Sequence, residues 1–236
     1  MEQQAPRVRL LTQNMNIHHF VGHSYPNREA RVNGLLAHVD EFDVVMLQEL
    51  FKFHASHAPP HWFQQDTGLL ILSKHPIVSS KTIFFKERSV AEMVSLKGAL
   101  MTKLRLSDEG PHLVVITAHL DAHSLDIRLA QLKQIMTELV HKELAEDEEA
   151  RIVLGGDLNI DSIHHAEAWE AAKGILHPLE SAVDKGAYRG PEGGRPYPVT
   201  HHKWDVCLDH IFVHGVAVDA NSLQLHKWPA VFATPP

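Results

Sequence analysis

Four apolar runs in this sequence each stop at polar residues of the kind that bind cations or phosphates. Leu10-Leu11-Thr12-Gln13 leads to Asn14, and Val44-Val45-Met46-Leu47 leads to Gln48 and Glu49. Val114-Val115-Ile116-Thr117-Ala118 leads to His119, and Ile152-Val153-Leu154-Gly155-Gly156 leads to Asp157 and Asn159. Short apolar runs rich in branched residues read as buried strands. Strand ends on one rim of a sheet can gather residues that are far apart in sequence. Each polar end also has an ordinary reading: Asn14 as a turn residue, Gln48-Glu49 as solvated loop, Asp157-Leu158-Asn159 as a helix cap, His119 as a packed histidine. Their shared position after strands favours a common site.

Further strands are expected at Val8–Thr12, Asp43–Leu47, Gly68–Ser73, Ala99–Leu106, Leu113–Ala118, Arg151–Leu154, Leu208–Val213 and Ala230–Ala233. Val32, Leu35, Leu36, Val39 and Phe42 recur at helical spacing, which makes the first part of the chain a strand–helix–strand unit. Leu125, Leu129, Leu132, Met136, Leu139 and Val140 mark a long amphipathic helix, capped by Ser124 and ended by the acidic run 146–149. Ala166, Trp169 and Ala172 suggest another helix, and 186–198 a long Gly/Pro-rich surface loop. Strand-rich and helical segments occur in both halves, which predicts an α/β architecture of sheets packed face to face with helices outside.

The chain of 236 residues is 44% hydrophobic, enough for one large core, and no linker divides it, so one domain over 1–236 is expected. No signal peptide is visible and no apolar run is long enough to span a membrane. With the single Cys207, this suits a cytoplasmic, reducing setting. A formal charge of −7 gives no footprint for a polyanionic partner. With 20 histidines, clusters such as His18-His19, His54, His57, His164-His165 and His201-His202 are expected by composition alone. Carboxylates and carboxamides are hard oxygen ligands suited to Mg²⁺, Mn²⁺ or Ca²⁺, and no cysteine set competes for zinc.

Thr12-Gln13-Asn14-Met15-Asn16 and Val45-Met46-Leu47-Gln48-Glu49 resemble the first two motifs of the endonuclease/exonuclease/phosphatase superfamily. Gly68-Leu69-Leu70-Ile71-Leu72-Ser73-Lys74-His75-Pro76-Ile77, Thr117-Ala118-His119-Leu120-Asp121, Gly155-Gly156-Asp157-Leu158-Asn159 and Leu208-Asp209-His210-Ile211-Phe212 continue the series in order. The resemblance implies a four-layer α/β (α+β) sandwich with two packed mixed β-sheets. It also implies that Glu49 with Asn14 holds a catalytic Mg²⁺, or Mn²⁺, and that Asp157 and Asn159 position the attacking water or the phosphate. His119 would donate to the phosphoryl oxygen, and Asp209 would orient a histidine base. That base should lie in a Ser-Asp-His triplet before the last strand, where this chain has His226-Lys227-Trp228, so the resemblance implies impaired turnover. His226 could substitute; His210 is a poorer candidate, because its side chain should point away from the face that Asp209 shares.

Leu96-Lys97-Gly98-Ala99-Leu100 and the helix starting Asp126-Ile127-Arg128 look most like the neutral sphingomyelinase branch. The expected substrate is therefore a phosphodiester of a phospholipid headgroup, with nucleic acid a weaker expectation. The short stretch between Phe51 and Gly68 leaves little loop for engaging a lipid surface. The alternatives are a DNA or RNA nuclease with the same metal site, and a catalytically inactive metal- or phosphate-binding protein.

Overall fold

The computed structural model describes residues 7–17, 28–50, 67–92, 96–108, 110–188, 197–201, 203–220 and 222–224. β1 (Leu10–Ile17), α1 (Arg28–His38) and β2 (Val44–Leu50) form the strand–helix–strand unit, and β3 (Leu70–Ser73) completes a sheet in the order β1-β2-β3. β1 and β2 are parallel and β3 is antiparallel to β2, so this sheet is mixed. β4 (Ile77–Phe84), β5 (Gly98–Leu104) and β6 (Leu113–His119) make an antiparallel meander. β7 (Arg151–Asp157) joins β6 in parallel, and β9 (Asp209–His214) and β8 (Glu180–Ser181) complete a second mixed sheet in the order β4-β5-β6-β7-β9-β8.

Three apolar layers separate these elements. Val44, Met46, Ile71, Leu100, Val115, Val153 and Val213 lie in the cluster between the sheets. Leu35 of α1 packs with Leu11, Val45 and Leu47 on the outer face of the small sheet. Ile116, Ile152, Leu154 and Phe212 of the large sheet pack with Leu132 and Ile135 of α2 (Leu125–Ile135) and with Trp169, Ala172 and Leu176 of α4 (Ala166–Leu176). Alternate residues of one strand thus serve two layers, as the period of two requires. The result is the four-layer sandwich: helix, sheet, sheet, helices.

The long helix is interrupted. Ser124 caps it by accepting from the Ile127 amide, but a π turn over Met136–Val140 separates α2 from α3 (His141–Glu146). That turn keeps Met136, Leu139 and Val140 all buried. β4 and β8 were not expected from the sequence. β4 has an almost wholly exposed burial pattern, so no apolar alternation marks it, yet it pairs with β5 along its length. It is an edge strand, carrying Ser79, Ser80 and Lys81 where edges are commonly blunted by polar side chains. The final strand expected at 230–233 and most of the 186–198 loop lie outside the described residues.

Candidate active site

The site lies where strand ends of both sheets meet. In the large sheet, His119 pairs in register with Asp157, and Asp157 with Asp209, so three adjacent strands set their polar ends side by side. Gly156 makes this approach possible: a Cβ there would stand 2.1 Å from the Ala118 carbonyl oxygen. In the small sheet, β1 breaks register between Asn14 and Ile17, and Asn16 adopts φ 48°. Glu49 adopts φ 57°, a conformation that costs a non-glycine residue on the order of 1–3 kcal/mol and is found mainly at functional sites.

These choices bring the expected residues together. One amide nitrogen, Asn14 Nδ2, donates to Glu49 Oε1 at 2.8 Å and to Asp157 Oδ2 at 2.9 Å, joining the two sheets. Asn14 Oδ1 accepts the Asn16 amide at 2.8 Å. His119 Nε2 stands 3.4 Å from Glu49 Oε1 and 4.0 Å from Asp157 Oδ2. Asp157 Oδ1 takes the Asn159 amide at 3.0 Å, which stabilises that residue's φ of 51°. Asn159 Nδ2 is spent on the Leu120 carbonyl at 3.0 Å, so its amide oxygen remains the end available for a water or phosphate. Below them the buried Gln48 bridges the sheets, its Nε2 2.9 Å from Thr117 Oγ1 and 3.2 Å from Thr12 Oγ1.

Asp209 Oδ1 is buried with no hydrogen-bond partner among the described residues. Burial, and then the like charge of Asp157, push the Asp209 carboxyl up to about 7. An acceptor in this state is suited to an imidazole N–H, as its expected orienting role requires. Residues 226–228, where the resemblance places the base and its possible substitute, lie outside the described residues. His210 does turn away: its Nε2 lies 2.8 Å from the Ile160 carbonyl oxygen and its ring stacks 4.3 Å from Trp169. Burial lowers its pKa to about 4. Next to it the buried Cys207 donates its amide to Asp161 Oδ1 and accepts from the Ser162 amide, while burial pushes its thiol up to about 12.

Two cations were not singled out as site residues from the sequence. The Lys97 ammonium, only 7% exposed, sits 2.9 Å from His119 Nε2 and 3.4 Å from Glu92. Arg31 on α1 donates to the carbonyls of Met15 and Asn16 at 3.0 and 3.3 Å, bracing the break in β1. Burial lowers its pKa, and the Glu49 charge opposes that shift. Arg31 is legible in retrospect, standing four residues before Leu35 on the packed face of its helix. No local pattern marks Lys97 as buried.

The donor set fits a hard divalent ion. Two carboxylates share a single amide N–H₂ at the point where positive charge is needed, and Mg²⁺ is typically bound through one or two carboxylates with several waters retained. Among the described residues no group of three or more His, Cys, Asp or Glu side chains is placed to hold a metal, so a carboxamide and waters would complete the shell. His164 pairs instead with Asp161 at 2.8 Å; His18, His19, His54, His57 and His202 lie outside the described residues.

A model of the Endonuclease/Exonuclease/phosphatase family matches residues 12–232. The chain belongs to this family. It is 25% identical over 174 residues to a sphingomyelinase of Dictyostelium discoideum, covering 51% of this chain and 38% of that protein. It is 32% identical over 108 residues to sphingomyelinase C of Bacillus cereus, covering 42% and 31%. The chain thus matches about a third of the length of these two curated relatives. A β-hairpin deletion mutant of the Staphylococcus aureus beta toxin has the same fold, with a TM-score of 0.66, 20% identity and 94% of both chains covered. A second structure of that toxin, with a TM-score of 0.62 and 20% identity over 94% of this chain and 86% of its own, contains bound magnesium ions. Within the family the resemblance is to the sphingomyelinase branch.

Proposed function

We propose that this chain is a Mg²⁺-dependent phosphodiesterase acting on a choline-type phospholipid headgroup ester. The observation that carries the reading is the Asn14 amide bridging Glu49 and Asp157 beside His119, an acidic pole facing the His119 imidazole and the Lys97 ammonium in one cavity. Glu49 together with Asn14 would hold the cation. Bound there, it would polarise a phosphoryl oxygen and stabilise the leaving oxygen.

The chain's own groups supply the rest. Lys97, which donates to His119 Nε2 at 2.9 Å, presents N–H donors where negative charge grows on the phosphoryl oxygens, and His119 would join it as a donor once its Nε2 carries a proton. Asp157 is fixed through both oxygens and so holds Asn14 and Asn159 in place, leaving Asn159 Oδ1 to orient water. Asp209 would accept from the N–H of an imidazole. With Lys227 and Trp228 in place of the expected Asp-His pair, deprotonation of the water is the weak step, and loss of a positioned base typically costs about 10² to 10⁴ in rate. Restoring the pair with Lys227→Asp and Trp228→His should raise kcat at least about tenfold, provided that Asp209 is intact.

The deciding experiment compares sphingomyelin vesicles, bis-(p-nitrophenyl) phosphate and an abasic DNA duplex across a Mg²⁺ titration. Slow, metal-dependent release of phosphocholine is expected. Faster cleavage of the duplex would assign the site to a nuclease. Metal binding without turnover of any diester, even in the restored variant, would make the chain a binding protein.

A further inference from the structure

The turn closed by the His201–Val206 bridge carries Trp204, which has no part in the roles assigned so far. Trp204 lines the same cavity as Asn14, Glu49, His119 and Asp209, yet it is 62% exposed. The indole is not loose: it stacks on the His201 imidazole with ring centres 4.2 Å apart and planes 11° from parallel. With one face covered by His201, the exposure falls on the opposite face and the edge.

The turn is closed by its own backbone and tied to the site by Thr200. Thr200 and His201 amides both donate to the Val206 carbonyl at 3.0 Å, and the Trp204 amide reaches the His201 carbonyl at 3.3 Å. Thr200 Oγ1 then accepts the amides of Leu208 and Asp209 at 2.9 and 3.2 Å. An exposed aromatic ring, backed by His201, is therefore linked through Thr200 to the Asp209 backbone. It stands on the rim of a cavity containing Glu49, Asp157 and Asp209.

We propose that Trp204, backed by His201, is the subsite for the quaternary ammonium group of a choline-bearing phosphodiester. An open indole face attracts a diffuse cation that cannot make hydrogen bonds, and Trp is the strongest of the aromatic side chains for this. The surrounding charge selects in the same direction. Carboxylates at the cavity and a chain charge of −7 favour a ligand with a positive tail and disfavour a polynucleotide whose phosphates continue past the site. The inference rests on the phosphodiesterase reading for the use of the subsite, but the binding of the ammonium group can be measured without turnover.

Two measurements test it on the full chain. The first is saturation-transfer NMR of tetramethylammonium chloride with wild type, Trp204→Phe and Trp204→Ala, each checked for an unchanged circular dichroism spectrum. The second is the ratio of kcat/KM for p-nitrophenylphosphorylcholine to that for bis-(p-nitrophenyl) phosphate. Transfer should be clear in wild type, weaker in Trp204→Phe and lost in Trp204→Ala. The ratio should fall about fivefold in Trp204→Ala, the size expected of a partly exposed cation–π contact, and recover partly in Trp204→Phe.

Absence of transfer in wild type would overturn the proposal, and so would an unchanged ratio. An unchanged ratio with activity lost only on sphingomyelin vesicles would assign Trp204 to docking at a lipid surface. If wild type turns over neither diester while Trp204-dependent transfer persists, the ammonium subsite stands and the phosphodiesterase reading falls.

Discussion

The two sheets deliver their site residues by different physical means. The large sheet sets His119, Asp157 and Asp209 on adjacent strands in regular register, so hydrogen-bonded ladders fix their spacing. The small sheet reaches the same point through a break in β1 and left-handed backbone at Asn16 and Glu49. Groups on a ladder can shift only if the sheet shifts. Groups on strained backbone persist because their surroundings hold them there, here through Arg31 and the shared Asn14 amide. The large sheet is therefore suited to holding the phosphate, and the small sheet to the cation, whose binding would help offset the strain.

Substitutions can break this comparison at either end. The largest effect is expected for Glu49→Ala, which removes a carboxylate from the cation's side of the site. Turnover should fall at least about a thousandfold, corresponding to several kcal/mol of lost charge stabilisation. The metal-dependent rise in Tm should vanish with it. A Mg²⁺ titration that shifts wild type and variant equally would remove Glu49 from the metal assignment.

Gly156→Ala probes the ladder side. The added methyl would collide with the Ala118 carbonyl in the next strand, with no flexible group to yield, so a loss of about 3 kcal/mol or more is expected in urea unfolding. A neutral result would mean that β6 and β7 part more easily than their register suggests.

Asp209→Asn sharpens the electrostatic side of the contrast. Its carboxyl titrates near 7 in the fold and close to 3.9 when unfolded. The unfolded state therefore loses the proton first as pH rises, and the folded state is progressively penalised from about pH 4 up to about pH 7. In metal-free buffer the asparagine variant should match wild type near pH 3.5 and exceed it by roughly 2–4 kcal/mol at pH 8. Equal stabilities across that range would show that Asp209 is better solvated than its surroundings imply.

The smallest effect is expected for Asn16→Gly. Asparagine tolerates left-handed backbone better than most residues, and its side chain is exposed, so relief of φ should change stability by no more than about 0.5 kcal/mol. A much larger loss would show that the asparagine side chain itself secures the break in β1.

What was legible in the sequence divides in a related way. Asn14, Glu49, His119 and Asp157 could be read because each follows an apolar run whose periodicity fixes where the strand stops. Asp209 needed the family resemblance, since it opens a strand and no preceding run points to it. Lys97 escaped as a site component because its place comes from contacts with His119 and Leu120, more than twenty residues away in sequence, which no local pattern encodes. β4 escaped because an edge strand exposed on both sides has no hydrophobic alternation to betray it. The register of β6, β7 and β9, which sets His119, Asp157 and Asp209 abreast, exists only in the assembled sheet.

Cys207 gives the loops beneath the site a chemical clock. Its thiol is 1% exposed and its pKa is pushed up to about 12, so at neutral pH it offers almost no thiolate to an alkylating reagent. Labelling must wait until the segment around Asp161 and Ser162 separates from the strand leading to Asp209. The rate of modification then reports how often that local opening occurs, a quantity distinct from global unfolding. Because the same segment continues from Asp157 and Asn159, a ligand that tightens the site should slow the clock, making occupancy measurable without any turnover.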